Sequence, residues 1–163
     1  MIDGVISFVG VGSNLDDPRG RCQEAFDRMA AAENCALLRT SSLYRTEPVG
    51  VRDQGWFVNA VVELRTTLAV RNLLRTLQGI EADMGRVRAE KGAPRLIDLD
   101  ILLYGQDVIR EDDLVVPHPE LHRRRFVLVP LTELAPYAIH PAFGISVKGL
   151  AERLEDGSIV ELI

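Results

Sequence analysis

Apolar and polar residues follow one another along the chain in blocks that predict both strands and helices. Residues 5–9 form a short apolar run typical of a buried strand, and the glycine-containing segment 10–14 that follows predicts a tight connection. Asp17 and Pro18 have the residue types of a helix N-cap and first turn. Apolar residues at helical spacing come next: Cys22, Ala25, Phe26 and Met29. We therefore predict a strand followed by an amphipathic helix of about four turns.

The centre of the chain has the patterns of two strands and a second helix. Apolar residues predict strands within 36–46 and 57–66, and the polar segment 47–55 between them predicts a loop because it contains proline and glycine. Helical spacing over 70–84 predicts the second helix, and Gly85 is placed to end it.

The last third has the patterns of a strand, a helix and a short tail. A basic loop, 85–95, leads into an apolar run, 93–105, that predicts a strand. Residues 125–134 predict a helix, and 145–163 predict a short helix and a final strand. Since the sequence contains no repeat or linker, these elements predict one α+β domain over residues 1–163, with a mostly antiparallel sheet and helices packed on it.

The composition limits the partners and compartments to be considered. With 163 residues and a net charge of −5, the chain is long enough for one hydrophobic core and too acidic to favour nucleic acid. No apolar run approaches the roughly 20 residues of a membrane helix, and the N-terminal sequence lacks signal-peptide features. Cys22 and Cys35 form no metal-binding pattern, so we interpret them as free buried thiols rather than as a disulfide. We expect a cytoplasmic protein with no membrane or nucleic-acid partner.

Clusters of basic residues interrupt this acidic background. One cluster comprises Arg86, Arg88, Lys91 and Arg95, and another is the arginine run at 123–125. The glycine segment 10–14 is not a dinucleotide-binding fingerprint, because Leu15 stands where the third glycine would be needed. A local anion site in an acidic protein indicates a small phosphorylated ligand.

The predicted strand within 93–105 carries two carboxylates, Asp98 and Asp100, among apolar residues. Side chains alternate between the faces of a strand, so both aspartates are predicted on one face, with Leu99, Ile101 and Leu103 anchoring the other in the core. Two carboxylates on a rigid element suit one or two hard divalent cations, and Mg²⁺ accepts such a pair together with water and phosphate oxygens. Taken alone, the pair is also compatible with a strand end that faces water or binds Arg95.

Short motifs in a fixed order then give a specific resemblance. They are "GSNL" at 12–15, "SSLYRTEPVG" at 41–50, "FVNAVVEL" at 57–64, "IEADMGRVR" at 80–88, "PRLIDLDILLYG" at 94–105 and "VPHPELHRRRFVLVPL" at 116–131. Over roughly residues 5–141 the chain resembles the 6-hydroxymethyl-7,8-dihydropterin pyrophosphokinase family. The resemblance implies a ferredoxin-like fold and transfer of the pyrophosphoryl group of ATP to the pterin alcohol in folate biosynthesis. We expect a monomer.

The resemblance also implies roles for individual residues. Those implied in catalysis are Arg86, Arg88, Asp98 and Asp100, with the two aspartates binding two Mg²⁺ ions. Those implied in ATP binding are Gln78, Glu81, Arg88, Arg95, Ile101, His118 and Arg124. Those implied in pterin binding are Thr46, Pro48, Val49, Phe57, Asn59, Asp98 and Phe126. Arg123 and Arg125 match no such position and are interpreted as surface charges.

Several of these residues also have a plain structural interpretation. Phe57 and Phe126 alone would be core aromatics, His118 a turn residue between prolines, and Glu81 a solvated helix position. Asn59 is different, because an amide between valines in a strand already favours a function.

The chain departs from the family pattern just before Pro94. Many relatives have Trp-Gly there, whereas this chain has Lys91-Gly92-Ala93. We therefore expect the segment 85–94 to be weakly ordered without ligand and to close when substrates bind.

The residues leave three functions to be compared. The first is the Mg²⁺-dependent pyrophosphokinase, which releases AMP. The second, suggested by the aspartate pair and arginines alone, is an ordinary metal-dependent phosphotransferase or phosphohydrolase, which releases ADP or phosphate. The third is a domain that binds a nucleotide without reacting.

Overall fold

A six-stranded sheet with helices on both faces forms the centre of the structure. The computed structural model describes residues 4–47, 55–86 and 96–163. Its strands are β1 (Val5–Ser13), β2 (Cys35–Thr40), β3 (Tyr44–Thr46), β4 (Phe57–Thr66), β5 (Asp98–Tyr104), β6 (Ile109–Glu111), β7 (Leu114–Val116), β8 (Ile139–His140), β9 (Ile145–Ser146) and β10 (Val160–Leu162). Its helices are α1 (Pro18–Ala30), α2 (Val70–Asp83), α3 (Arg125–Leu134) and α4 (Val147–Arg153), with a 3-10 turn at Leu121–Arg123.

The sheet is antiparallel and has the strand order β10-β3-β4-β1-β5, with β2 also paired to β4. Strands β1, β2, β4 and β5 with helices α1 and α2 give the ferredoxin-like arrangement, in which β1 lies between β4 and β5 and β2 pairs with β4. The predicted α+β class and antiparallel sheet are confirmed. Strands β6 and β7 form a separate hairpin, as do β8 and β9.

Two hydrophobic clusters hold the helices on opposite faces of the sheet. On one face, Val9 and Val11 of β1 pack in the cluster that contains the apolar residues of α1 and α2. On the other face, Phe8 packs in the cluster that contains those of α3 and α4. Alternation along β1 therefore divides the core into two layers. The second layer covers only part of its face.

The register of β1 determines what that uncovered part of the face contains. Gly12 is paired with Asn59 of β4 on one side and with Asp98 of β5 on the other. Gly10 is likewise paired with β4 and with Asp100. An amide and a carboxylate are thus held on either side of a glycine, with their Cα atoms roughly 10 Å apart, which is twice the strand spacing.

The boundaries of most predicted elements agree with the structure. Strand β4 and helix α3 have the predicted limits, and Asp17 accepts a hydrogen bond from the Gly20 amide at the start of α1. Gly85, with φ of 90°, follows the end of α2 as predicted. Cys22 and Cys35 are free and buried, also as predicted.

Three local predictions were wrong. The tight connection at 10–14 is instead the second half of β1, because Gly10 to Ser13 are paired with strands on both sides. The single strand at 36–46 is divided into β2 and β3, since the buried Ser41 hydroxyl accepts the Val61 amide and interrupts the regular ladder. Leu103 packs in the α3 layer, because the β1–β5 register shifts next to Phe8.

No helix in the described part of the chain is long and apolar enough to cross a membrane.

Candidate active site

A pocket of about 590 Å³ lies on the part of the sheet that α3 leaves uncovered. Gly10 and Gly12 of β1 form its floor. Its polar lining includes Thr46, Asn59, Asp98, Asp100, His118 and Arg124, and Phe57 and Phe126 contribute aromatic rings. The structure therefore brings together residues from β1, β3, β4, β5 and α3 that are far apart in the sequence.

The floor of the pocket is closely approached by a side chain at position 12. A Cβ atom placed on Gly12 would lie 2.6 Å from Oδ1 of Asn59, so the Asn59 side chain would have to shift. At Gly10 a Cβ atom would only touch Leu102, at 3.5 Å. The Asn59 amide group thus occupies the space above Gly12, and its position depends on the absence of a side chain there.

The pterin-side residues predicted from the sequence lie around this amide group. Nδ2 of Asn59 donates a 2.7 Å hydrogen bond to the buried Thr46 hydroxyl, which fixes the orientation of the amide. Phe57 lies on the same face of β4 as Asn59, two residues away. Phe126, in the first turn of α3, has the Arg124 guanidinium 5.6 Å from its ring centre. The two rings and the amide line the same pocket, which therefore offers aromatic surface together with a hydrogen-bonding group.

Asp98 and Asp100 lie beside Gly12 and Gly10 and both line the pocket, so the alternation predicted for β5 is confirmed for them. Nη2 of Arg86 lies 3.3 Å from Oδ1 of Asp98. The arginine predicted to meet phosphate therefore contacts the carboxylate predicted to bind metal.

The interpretation of Glu81 as a solvated helix position was wrong. Glu81 is buried, and Oε2 accepts a 2.8 Å hydrogen bond from the Leu99 amide, between the two aspartates. Its other oxygen lies 3.6 Å from Nη1 of Arg86. Glu81 thus supports β5 from α2, and it lines neither of the two pockets described here.

The donor set fits a magnesium site. Asp98 and Asp100 present carboxylate oxygens to one pocket from a strand that is anchored on both faces. Mg²⁺ commonly takes one or two protein carboxylates and completes its coordination with phosphate and water oxygens. In residues 4–47, 55–86 and 96–163 there is no cluster of three or more histidine, cysteine or acidic side chains, so the pair itself is the candidate.

His118 is neutral and has a defined tautomer. Burial, followed by the charge of Arg124, lowers its pKa from 6.5 to about 4. The Glu120 amide donates to Nδ1 at 3.1 Å, so the ring proton is on Nε2. His118 therefore offers a neutral N–H donor beside the carboxylates.

A second pocket, of about 280 Å³, adjoins the first and shares Asp100 and His118 with it. Its apolar walls come from Leu74, Ile101, Leu114 and Val115. The β6–β7 hairpin forms its outer side, where Arg71 donates hydrogen bonds to Glu111 and Asp113. Besides the shared Asp100 and His118, Ile101 is the one lining residue of this pocket that was assigned a ligand from the sequence.

The remaining predicted residues divide into two groups. Pro48, Val49, Arg88 and Arg95 lie outside the described residues, as does most of the segment expected to close on ligand binding. Gln78 is exposed on α2 and lines neither of the two pockets.

One arginine and the tail were missed as parts of the pocket lining. Arg123 is exposed, as a surface charge would be, but it also lines the first pocket. Arg125 does not line that pocket, and it donates a 2.8 Å hydrogen bond to the Ser158 carbonyl. Asp156 and Ser158 line the same pocket. Nothing in the local sequence of 154–163 signals this, because the contact depends on β10 pairing with β3.

Acidification is expected to destabilise the ligand-free protein through His118. Because its pKa is about 4 when folded and 6.5 ordinarily, the unfolded chain takes up a proton between these values that the folded chain does not. Stability is therefore lost as pH falls from neutrality. Urea unfolding in EDTA should show that His118→Gln reduces the loss between about pH 7 and pH 4.5 by about 2 kcal/mol. An unchanged pH dependence of stability in His118→Gln would contradict the assignment.

Comparison with known proteins gives several close relatives. A 2-amino-4-hydroxy-6-hydroxymethyldihydropteridine pyrophosphokinase from Haemophilus influenzae is 37% identical over 158 residues, covering 97% of this chain and 98% of that protein. One from Pseudomonas aeruginosa is 45% identical over 129 residues, covering 79% of this chain and 80% of that protein. A folic acid synthesis protein of Pneumocystis carinii is 37% identical, and there the match spans only 21% of its length.

Solved structures confirm the fold. The wild-type HPPK-DHPS of Plasmodium falciparum matches 93% of this chain with a TM-score of 0.75 and 15% identity, and the match spans 43% of that chain. The model of the 7,8-dihydro-6-hydroxymethylpterin-pyrophosphokinase family matches residues 8–136. This chain therefore belongs to the 7,8-dihydro-6-hydroxymethylpterin-pyrophosphokinase family.

Proposed function

We propose that this protein transfers the pyrophosphoryl group of ATP to 6-hydroxymethyl-7,8-dihydropterin, giving the pterin diphosphate and AMP in folate biosynthesis. The hydroxymethyl oxygen forms a bond to the β-phosphorus, and the bond from that phosphorus to the α–β bridging oxygen breaks. AMP leaves with the bridging oxygen, and the hydroxyl proton goes to solvent. The observation that carries the proposal is the row Asn59, Gly12 and Asp98, which places a hydrogen-bonding amide and a carboxylate on either side of one glycine.

The pterin occupies the side of the pocket around Asn59. Phe57 and Phe126 stack on the two faces of its ring, and the fixed Asn59 amide hydrogen-bonds its edge. Main-chain groups of Thr46 and Val49 add hydrogen bonds to the pterin. Pro48, which precedes Val49 in the sequence, belongs to the same side of the site. Asp98 lies where the hydroxymethyl group would point, since it is across Gly12 from Asn59.

The triphosphate lies along the other side of the pocket. The guanidinium of Arg124 and the neutral Nε2–H of His118 donate to phosphate oxygens there. Arg86 moves from Asp98 to phosphate as the site fills, and Arg88 and Arg95 contribute further charge from the loop. The second pocket takes the nucleoside, with Ile101 in its apolar wall. Gln78 and Glu81 belong to the nucleotide side as well. Glu81 contributes by accepting the Leu99 amide hydrogen bond, which holds β5 in place.

We propose two Mg²⁺ ions at Asp98 and Asp100. When bound, they would neutralise the phosphates and the charge that develops on the transferred group. The chain itself holds both carboxylates on one strand face, aligns the two substrates and donates hydrogen bonds to phosphate. This is the kind of positioning and charge stabilisation that phosphoryl transfer requires.

We further propose that residues 1–163 act as a single pyrophosphokinase domain, as a monomer in the cytoplasm. The two hydrophobic layers share one sheet, which supports a single unit. The two free buried thiols are compatible with a reducing compartment. Its partners are then its small-molecule substrates, ATP and the pterin.

Product analysis tests the reaction. Incubated with ATP, Mg²⁺ and 6-hydroxymethyl-7,8-dihydropterin, the protein should form AMP in step with loss of the pterin alcohol. Chromatography of the nucleotides distinguishes the alternatives. ADP or inorganic phosphate would instead indicate an ordinary phosphotransferase or phosphohydrolase, and unchanged ATP would indicate a binding domain.

Removing either carboxylate should abolish turnover without unfolding the protein. We expect Asp98→Ala and Asp100→Ala each to lower kcat by about 1,000-fold, because metal-assisted charge stabilisation is worth several kcal/mol. Steady-state assays and urea unfolding should be run in parallel, with Asp107→Ala, an exposed position beyond the end of β5, as the control. Near-normal activity of either site variant in Mg²⁺ would contradict the assignment.

A further inference from the structure

The end of β1 carries a buried serine whose hydrogen bond leaves the strand. Ser13 is 0% exposed, and its hydroxyl donates to the Leu96 carbonyl at 2.5 Å. Regular pairing between β1 and β5 ends one residue earlier, at Gly12 and Asp98. The Ser13 side chain therefore extends the attachment of β5 beyond the backbone ladder, two residues before Asp98.

The next residue makes a similar contact in another direction. Asn14 is 7% exposed, and its Nδ2 donates to the Gly55 carbonyl at 3.2 Å. Gly55 lies two residues before Phe57, which is the first residue of β4 and part of the pocket lining. Asn14 thus attaches the chain that enters β4, as Ser13 attaches the chain that enters β5.

The two attachments come from adjacent residues at the end of β1. Leu96 lies two residues before β5 and Gly55 two residues before β4, so each bond fixes the chain just before it enters a strand of the site. Buried side chains that hydrogen-bond to a carbonyl are costly to lose, because the acceptor is left unsatisfied. The bonds therefore constrain the entry to the carboxylate strand and to the aromatic strand separately.

We propose that Ser13 and Asn14 are positioning residues, Ser13 for the carboxylates that face the nucleotide and Asn14 for Phe57 and the pterin side. Neither would touch substrate. The kinetic consequences of this inference rest on the proposed function. Its structural consequences concern only the chain just before β4 and just before β5. The proposal predicts that substituting Ser13 affects mainly the nucleotide side of the site, and that substituting Asn14 affects mainly the pterin side.

A matched control exists at the other end of the same pair of strands. Ser7 is also 0% exposed, and its hydroxyl donates to the Leu103 carbonyl of β5 at 2.7 Å. It makes the same kind of bond, from a β1 hydroxyl to a carbonyl, but inside the β1–β5 ladder, and it lines neither of the described pockets. Ser7→Ala therefore reports the effect of losing such a bond on folding alone.

Hydrogen exchange of the ligand-free protein is the first measurement. Ser13→Ala should speed exchange at 96–99 and leave 55–58 close to wild type, and Asn14→Asp, which keeps the shape but removes the donor, should do the reverse. Ser7→Ala should change neither. If Ser13→Ala and Ser7→Ala give the same pattern at 96–99, or Asn14→Asp leaves 55–58 unchanged, the proposal is wrong.

Kinetics are the second measurement. Ser13→Ala should raise the KM for Mg²⁺-ATP by about 5- to 10-fold and change the pterin KM little, whereas Asn14→Asp should raise the pterin KM by a similar factor. Equal changes in both constants would overturn separate positioning.

If Ser13→Ala does not fold, the isosteric Asn14 variant decides by itself. A wild-type protein that forms no AMP would overturn the proposed function, and the exchange result would still decide the positioning.

Discussion

The pairing of β1 with β4 on one side and β5 on the other is the constraint on which the site depends. Backbone hydrogen bonds hold Asn59, Gly12 and Asp98 side by side, and a slip of one residue would send each side chain to the opposite face. Val9 and Val11, on one face of β1, are buried against α1 and α2. A slip would move these valines out of the core, so it is excluded. The hydrophobic layer on one side of the sheet thus fixes the polar arrangement on the other.

This arrangement explains how two like charges are tolerated in an apolar strand. Asp98 and Asp100 face the pocket rather than the core, and Arg86 lies against Asp98. Glu81 holds the backbone between them through the Leu99 amide. The cost of placing carboxylates together is reduced by partial exposure and by a nearby cation, and a bound metal ion would reduce it further.

Local patterns predicted the parts of the fold that local chemistry controls. Helical spacing and capping located α1, α2 and α3, and alternation placed Asp98 and Asp100 on one face.

Leu103 was misplaced because the bulge near Phe8 depends on the partner strand. Gly10 and Gly12 were taken for a turn because their role, a floor without side chains, requires strands on both sides. The second pocket and the tail contacts arise from a hairpin and an edge strand whose partners lie far away in the sequence. The family resemblance supplied the assignments that no local pattern could, and those roles remain proposals.

The absence of a side chain at Gly12 is central to the site, because Gly12 separates the pterin side from the nucleotide side. The most direct test is to measure ligand binding by Gly12→Ala, whose added methyl group would lie 2.6 Å from the Asn59 amide oxygen. Gly79→Ala, on α2 with no atom within 4 Å of the added Cβ, is the control. Calorimetric titration should show that Gly12→Ala binds the pterin at least about tenfold more weakly than wild type. The affinity for Mg²⁺ with a non-hydrolysable ATP analogue should change little. Unchanged pterin affinity, or an equal loss for both ligands, would contradict the account.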